Sequence, residues 1–175
     1  MQRPIEVATW IGAGIANVCE ILADDPGVVF GDAATTHEHQ SRRTVLGVDL
    51  RSGASVHQEV LVRLGVARTT GAGVVLSMAW EATGRSRLFP TFAGALEASD
   101  ADDGTRLRLH GTYTVPLGIV GRVANSVVGL RLARRSLDAL LVALGRQLEV
   151  EVERRGGSAR DRRTPEWEHS EIYIG

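Results

Sequence analysis

Lysine is absent from this chain: all 20 basic residues are arginine. That removes Schiff-base chemistry and any other reaction needing a lysine amine. Cysteine is nearly absent, with Cys19 alone, so no intrachain disulfide can form and a reducing compartment is indicated. Cys19 lies among Ile15, Val18, Ile21 and Leu22, with no histidine near it in sequence. It reads as a small buried hydrophobe rather than a nucleophile. No run suits a membrane span, because the most apolar late window, 115–132, carries Arg122, Asn125 and Arg131. The opening MQRPIEVATW lacks the basic-then-apolar layout of a secretory signal, so a cytoplasmic location is expected. GxSxG, HExxH, P-loop and paired-cysteine motifs are missing, which weighs against hydrolase, metalloprotease and nucleotide-hydrolase readings. No cofactor is expected.

What is present is ordinary for a globular chain. At 175 residues, with 43% hydrophobic and 23% charged, it is long enough to bury one core. A net charge of −1 offers no general attraction to nucleic acid, and no nucleic-acid partner is expected.

Read in order, residues 4–11 are rich in β-formers and form a first strand. Gly12-Ala13-Gly14 then leads into 15–23, where Ile15, Val18, Cys19 and Leu22 fall at helical spacing. Asp24-Asp25-Pro26-Gly27 stops that helix. The pair Gly12 and Gly14 matches part of a dinucleotide fingerprint, but Asn17 replaces the third glycine and consecutive strands follow. A turn requiring positive φ is the expectation there. Residues 27–41 are polar and poorly periodic, and read as a short helix and a loop. His37 and His39 in that stretch share a face if extended, but no third metal ligand sits at a convincing spacing, although His57-x-Glu59 offers one across strands. A solvated segment is the default and no metal is expected.

Five strands follow at about ten-residue spacing: 42–50, 56–69, 74–83, 88–99 and 105–115. Glycine-rich or acidic turns separate them, which marks an antiparallel meander. The acidic turn 100–104 lacks the oxygen spacing of a calcium loop and reads as a hairpin turn. Each strand has one apolar face. Val60, Val62, Leu64 and Val66 share a side, as do Leu76, Met78, Trp80 and Ala82, and Leu107, Leu109, Gly111 and Tyr113. Arg106, Arg108 and His110 should face outward, and a shift of one residue would bring them inside.

A sheet with one dry face needs a cover. Val123, Val127, Leu130, Leu137, Leu141, Leu144 and Leu148 form the matching helical stripe. A helix from about 119 to 153 would span roughly 50 Å. Gly121, Gly129 and Gly145 are natural bending points, with 119–130 expected as a partly separate segment. The domain should end near 154, leaving 155–175 as a tail whose last apolar residues could dock on a sheet edge. Arg131, Arg134 and Arg135 read as a solvated cluster, with Arg134 spaced to pair with Asp138.

The fold class is therefore α+β, a curved antiparallel sheet of six to seven strands wrapped around a long C-terminal helix. The stretch from Leu88-Phe89-Pro90 through Gly94-x-Leu96, Gly104-Thr105-x-Leu107-x-Leu109-x-Gly111-x-Tyr113 and Pro116-Leu117-Gly118 resembles bacterial members of the START-like, or SRPBCC, helix-grip superfamily. The resemblance covers residues 4–153. It implies a cavity between sheet and last helix that holds a small hydrophobic molecule, lipid-like or polyketide-like. Two departures stand out: 24–40 is unusually polar for the family's second short helix, and few polar groups point inward for cyclase-type catalysis. The expected cavity lining is Tyr113, Leu109, Trp80, Met78, Phe92, Asn125 and Val127, with no catalytic residue assigned. A polyketide cyclase or aromatase, and a non-catalytic interaction module with a filled core, are the alternatives.

Overall fold

Period-two alternation becomes a single antiparallel sheet. The computed structural model describes residues 2–30, 41–49, 55–83, 91–114 and 126–156. Among these, β1 (Gln2–Ile11) is followed by α1 (Ile15–Asp24) and a short 3-10 turn (Pro26–Phe30). The meander β2 (Ser41–Asp49), β3 (Ser55–Thr70), β4 (Gly73–Ala82), β5 (Thr91–Ala101) and β6 (Gly104–Thr114) leads to α2 (Ser126–Arg154). The strand order is β1-β6-β5-β4-β3-β2, so β1 closes beside the last strand of the meander. Six strands fall within the expected number. The all-antiparallel pairing removes the dinucleotide-fold reading of Gly12 and Gly14.

The sheet is curled around α2. This helix touches β1 and β2, which are the two opposite edges of the sheet. Six flat strands would span about 24 Å at ordinary spacing. A helix is only about 10 Å across, so it meets both edges because the sheet bends toward it. Its buried stripe is Leu137, Leu141, Leu144, Leu148 and Val152. Removing these five side chains from water contributes on the order of 10 kcal/mol before entropy is counted. On α1, Val18, Ile21 and Leu22 are buried against the same core, and Ile15 and Cys19 pack at its margin. Burial pushes the Cys19 thiol pKa up, which disfavours its thiolate.

Three expectations need correction. Val66 is 71% exposed instead of sharing the inner face with Leu64. A bulge causes this: Leu64 pairs with Met78 and Ala67 with Leu76, so Gly65 and Val66 together oppose Ser77. The extra residue reverses the alternation and lets β3 follow the curl. The turn after β1 does not use positive φ, since Gly14 sits at φ −66 and the described positive-φ glycines are Gly73, Gly104 and Gly156. Hydrogen bonds hold that turn instead. Gly12 N donates to Glu149 Oε1 at 2.8 Å, and buried Thr105 Oγ1 donates to Ala13 O at 2.7 Å.

α2 also runs unbroken from Ser126, with no separate segment reaching to 130. Gly145 is a point of close approach, because a Cβ there would lie 2.8 Å from Ile11 Cγ2. Residues 119–125, the histidine pair His37 and His39, the Pro116-Leu117-Gly118 bend and the tail 157–175 lie outside the described residues. So does the side chain of His57.

The end of α2 is locked by one buried carboxylate. Glu151 accepts from Arg154 Nε and Nη2 at 2.6 Å each and from Arg155 Nε at 2.7 Å. Arg155 Nη2 also reaches Asp24 Oδ2 at 3.1 Å, which ties α2 to the end of α1. The Arg154 bonds first, and then those of Arg155, pull the Glu151 pKa down to about 2. A depressed carboxylate adds stability above its unfolded pKa and loses it as pH falls toward the folded value. The melting-temperature gap between wild type and Glu151→Gln should therefore be full at pH 6. It should narrow as pH drops from about 4.5 to about 2. A gap independent of pH would show that the ion pairs do not stabilise the fold.

Candidate functional site

Cross-strand register assembles the inner wall in rows. One row runs Val62, Trp80, Phe92, Tyr113 and Arg3, each the Cα partner of the next. The row beside it runs Leu64, Met78, Gly94, Gly111 and Ile5. A third runs Ala67, Leu76, Leu96, Leu109 and Val7. An aromatic row and a leucine row thus flank a row with two adjacent glycines at its centre.

That glycine pair is a local constraint on the sheet. A Cβ on Gly94 would lie 2.1 Å from His110 O, and one on Gly111 would lie 2.4 Å from Ala93 O. The two backbones approach more closely than side-chain-bearing residues permit, and such glycines are where a sheet kinks. The Phe92 ring folds back over the gap, with its Cζ 2.6 Å from where a Gly94 Cβ would be. Phe92 also stacks on Trp80, with ring centroids 4.3 Å apart and planes inclined by 17°.

The helix closes the opposite end of this wall. Gly145 abuts Ile11, Leu107 and Thr9, while Glu149 reaches Gly12, so α2 runs in the same direction as β1. Its leucine-rich half therefore covers the end of the sheet away from Trp80, Phe92 and Tyr113. Its first turns head toward the aromatic row.

The structure brings Met78, Trp80, Phe92, Leu109 and Tyr113 onto three neighbouring rows of one buried face. Asn125 lies outside the described residues, as does the side chain of Val127. Sequence reading missed Arg3, Ile5 and the role of the Gly94–Gly111 pair. Ile5 shows the right parity within β1, but only the β1–β6 register puts it beside Gly111.

Two buried polar groups stand in the aromatic row, whose edge positions on β2 and β1 are Arg42 and Arg3. Tyr113 is 8% exposed, and burial pushes its phenol pKa up to about 12, so the hydroxyl stays neutral at physiological pH. Trp80 is 5% exposed, and its Nε1 is buried with no hydrogen-bond partner among the described residues. Half-buried Arg3 faces Tyr113 in register at the edge of the row.

The charged residues of β6 are outside, as the alternation predicts. Arg108 binds Glu97 at 2.7 Å and Glu6 at 3.6 Å, and His110 lies 3.8 Å from Glu97. Arg106 sits 5.6 Å over the exposed ring of Trp10. Arg134, Arg135 and Asp138 are exposed on α2. Between β1 and the β5–β6 turn lies a surface depression of about 370 Å³, lined by Trp10, Ile11, Gly12 and residues 101–104. It is outside the grip and shares no residue with the wall. No group of three potential metal ligands occurs among the described residues. No helix among them is long and apolar enough to cross a membrane.

No family model matches the chain, and no curated protein matches it in sequence. Solved structures do match. TTHA0849 from Thermus thermophilus is 16% identical with a TM-score of 0.52, over 85% of this chain and 99% of that one. Ara h 8.0201 is 10% identical with a TM-score of 0.50, over 85% and 98%. The chain has the helix-grip fold. The Zhui aromatase/cyclase from Streptomyces is a more distant neighbour, 20% identical with a TM-score of 0.45, over 91% and 98%. In helix-grip terms, the grip is the curled sheet and the gripped element is α2, as the resemblance in the meander implied.

Two measurements check this geometry. In a Tyr173→Phe background Tyr113 is the sole tyrosine, and its tyrosinate absorbance should rise with a midpoint near pH 12. A midpoint near 10 would place the hydroxyl in water. Gly111→Ala should cost about 2–3 kcal/mol in denaturant unfolding, since its Cβ meets backbone that cannot move aside cheaply. An effect below about 0.5 kcal/mol would mean that the glycine pair does not shape the sheet.

Proposed function

We propose that this helix-grip protein binds a small, largely apolar molecule between the aromatic end of its curled sheet and the first turns of α2. The observation that carries this reading is the arrangement of rows. The side-chain-free pair Gly94 and Gly111, with the Phe92 ring folded over Gly94, lies between the Trp80–Phe92–Tyr113 row and the Leu96–Leu109 row, with Met78 and Ile5 at its ends. Apolar pockets with a few convergent polar groups are the usual form of small-molecule sites. Met78 and Phe92 supply adaptable and flat contact surfaces.

Binding fits this wall better than proton transfer. Its buried titratable group is Tyr113, which burial keeps protonated, and a phenol so held is a poor general base at neutral pH. The Leu109 and Tyr113 side chains then act as walls, and Arg3 offers a charge at the rim.

Fluorescence titration with 1-anilinonaphthalene-8-sulfonate tests the proposal, together with native mass spectrometry of gently purified protein. A saturable site of about one equivalent, or a co-purifying apolar molecule of defined mass, is the expected result. Met78→Trp, which fills the wall beside Gly94, should weaken dye binding about tenfold or more. Linear, unsaturable dye uptake with no bound mass would sink the reading.

A further inference from the structure

We infer that the molecule held on this wall carries a neutral carbonyl oxygen that accepts a hydrogen bond from Trp80 Nε1. This deepens the binding reading above and rests on it. An indole N–H is a donor only, so it has one way to be satisfied. Buried donors without partners are uncommon in native proteins, because each costs about 1–3 kcal/mol of lost hydration.

Trp80 meets those conditions. Its side chain is 5% exposed, and its Nε1 is sealed from solvent with no acceptor among the described residues. The indole cannot easily turn outward to water, since stacking on Phe92 at 4.3 Å holds its plane. Its neighbours on the wall, Val62, Phe92 and Met78, offer no acceptor oxygen in their side chains. The strand backbone on either side is engaged in the β3–β4 and β4–β5 ladders. An acceptor carried by the bound molecule completes the set.

The chemistry also limits the kind of acceptor. The charged residues of this row are Arg42, two strands from Trp80 across Val62, and Arg3, three strands away across Phe92 and Tyr113, roughly 10 and 14 Å at ordinary strand spacing. The immediate row neighbours of the indole are the apolar Val62 and Phe92, so an anionic oxygen beside it would be desolvated without an adjacent cation. A neutral ketone or ester carbonyl loses less on entry. The ligand class is thus an apolar body with a carbonyl directed at β4.

Fluorene and 9-fluorenone form a matched probe pair, differing by one carbonyl oxygen on the same rigid skeleton. By isothermal titration calorimetry the wild type should bind fluorenone about tenfold more tightly than fluorene. In Trp80→Phe the ratio of fluorenone to fluorene affinity should fall to about one, whatever loss of apolar contact the two probes share. Equal wild-type affinities would overturn the carbonyl inference and leave apolar binding standing. Failure to bind either probe would count against both.

A measurement on the unmodified wall covers the case in which Trp80→Phe does not fold. The chain has three tryptophans, and Trp10→Phe and Trp167→Phe assign the other two indole signals in a ¹⁵N spectrum. The Trp80 indole proton should move downfield with fluorenone and not with fluorene. Identical responses to the two probes would overturn the inference.

Discussion

The contact of one helix with both edges of a single sheet is the constraint on which everything else depends. Because α2 meets β1 and β2 at once, the sheet between them must bend through the width of five inter-strand steps. Three devices supply that bend or accommodate it. The Gly65–Val66 bulge adds a residue on β3, the Gly94–Gly111 pair lets β5 and β6 approach, and Gly145 lets β1 touch the helix backbone. Each replaces a side chain or a regular ladder step with closeness of backbone, and only a bulge or glycine permits that.

The curl separates the chain into a dry inside and a charged outside. On the convex face Arg108, Glu97, Glu6 and His110 form one ladder of charge, and Arg63 pairs with Glu81 on β3 and β4. These pairs are solvated, and such pairs contribute little individually. Their value lies in register, since a slip of one residue would carry four charged groups into the core. The buried carboxylate of Glu151 is a different case. Enclosed by two arginines at the end of α2, it fixes the helix against α1 where the leucine stripe ends.

The inside is itself divided. Leu137 to Val152 close the end near Ile11 and Leu107, and the aromatics gather at the other end, where α2 begins. A fully aliphatic core would have needed no indole N–H and no phenol at the aromatic end. Both donors, the indole and the phenol, thus stand together at the aromatic end of the wall.

Much of this was legible from residues alone. Alternation located every described strand and the phase of β4 and β6, because side chains in a strand face opposite sides in strict period two. The steps of three and four placed Leu137, Leu141, Leu144 and Leu148 on one helical face for the analogous reason. Tyr113, Trp80, Met78 and Leu109 were assigned to the inner face on that basis. Period two fails where an extra residue enters, so Val66 was misplaced, and no local signal distinguishes Gly65 in a bulge from a glycine in a regular strand. Hydrogen bonds across more than ninety positions, Thr105 to Ala13 and Glu149 to Gly12, hold a turn that sequence assigned to glycine flexibility. Local chemistry thus determined which face each residue takes. Which residues share a row, and so which donors share a wall, was decided only by the register between strands distant in the chain.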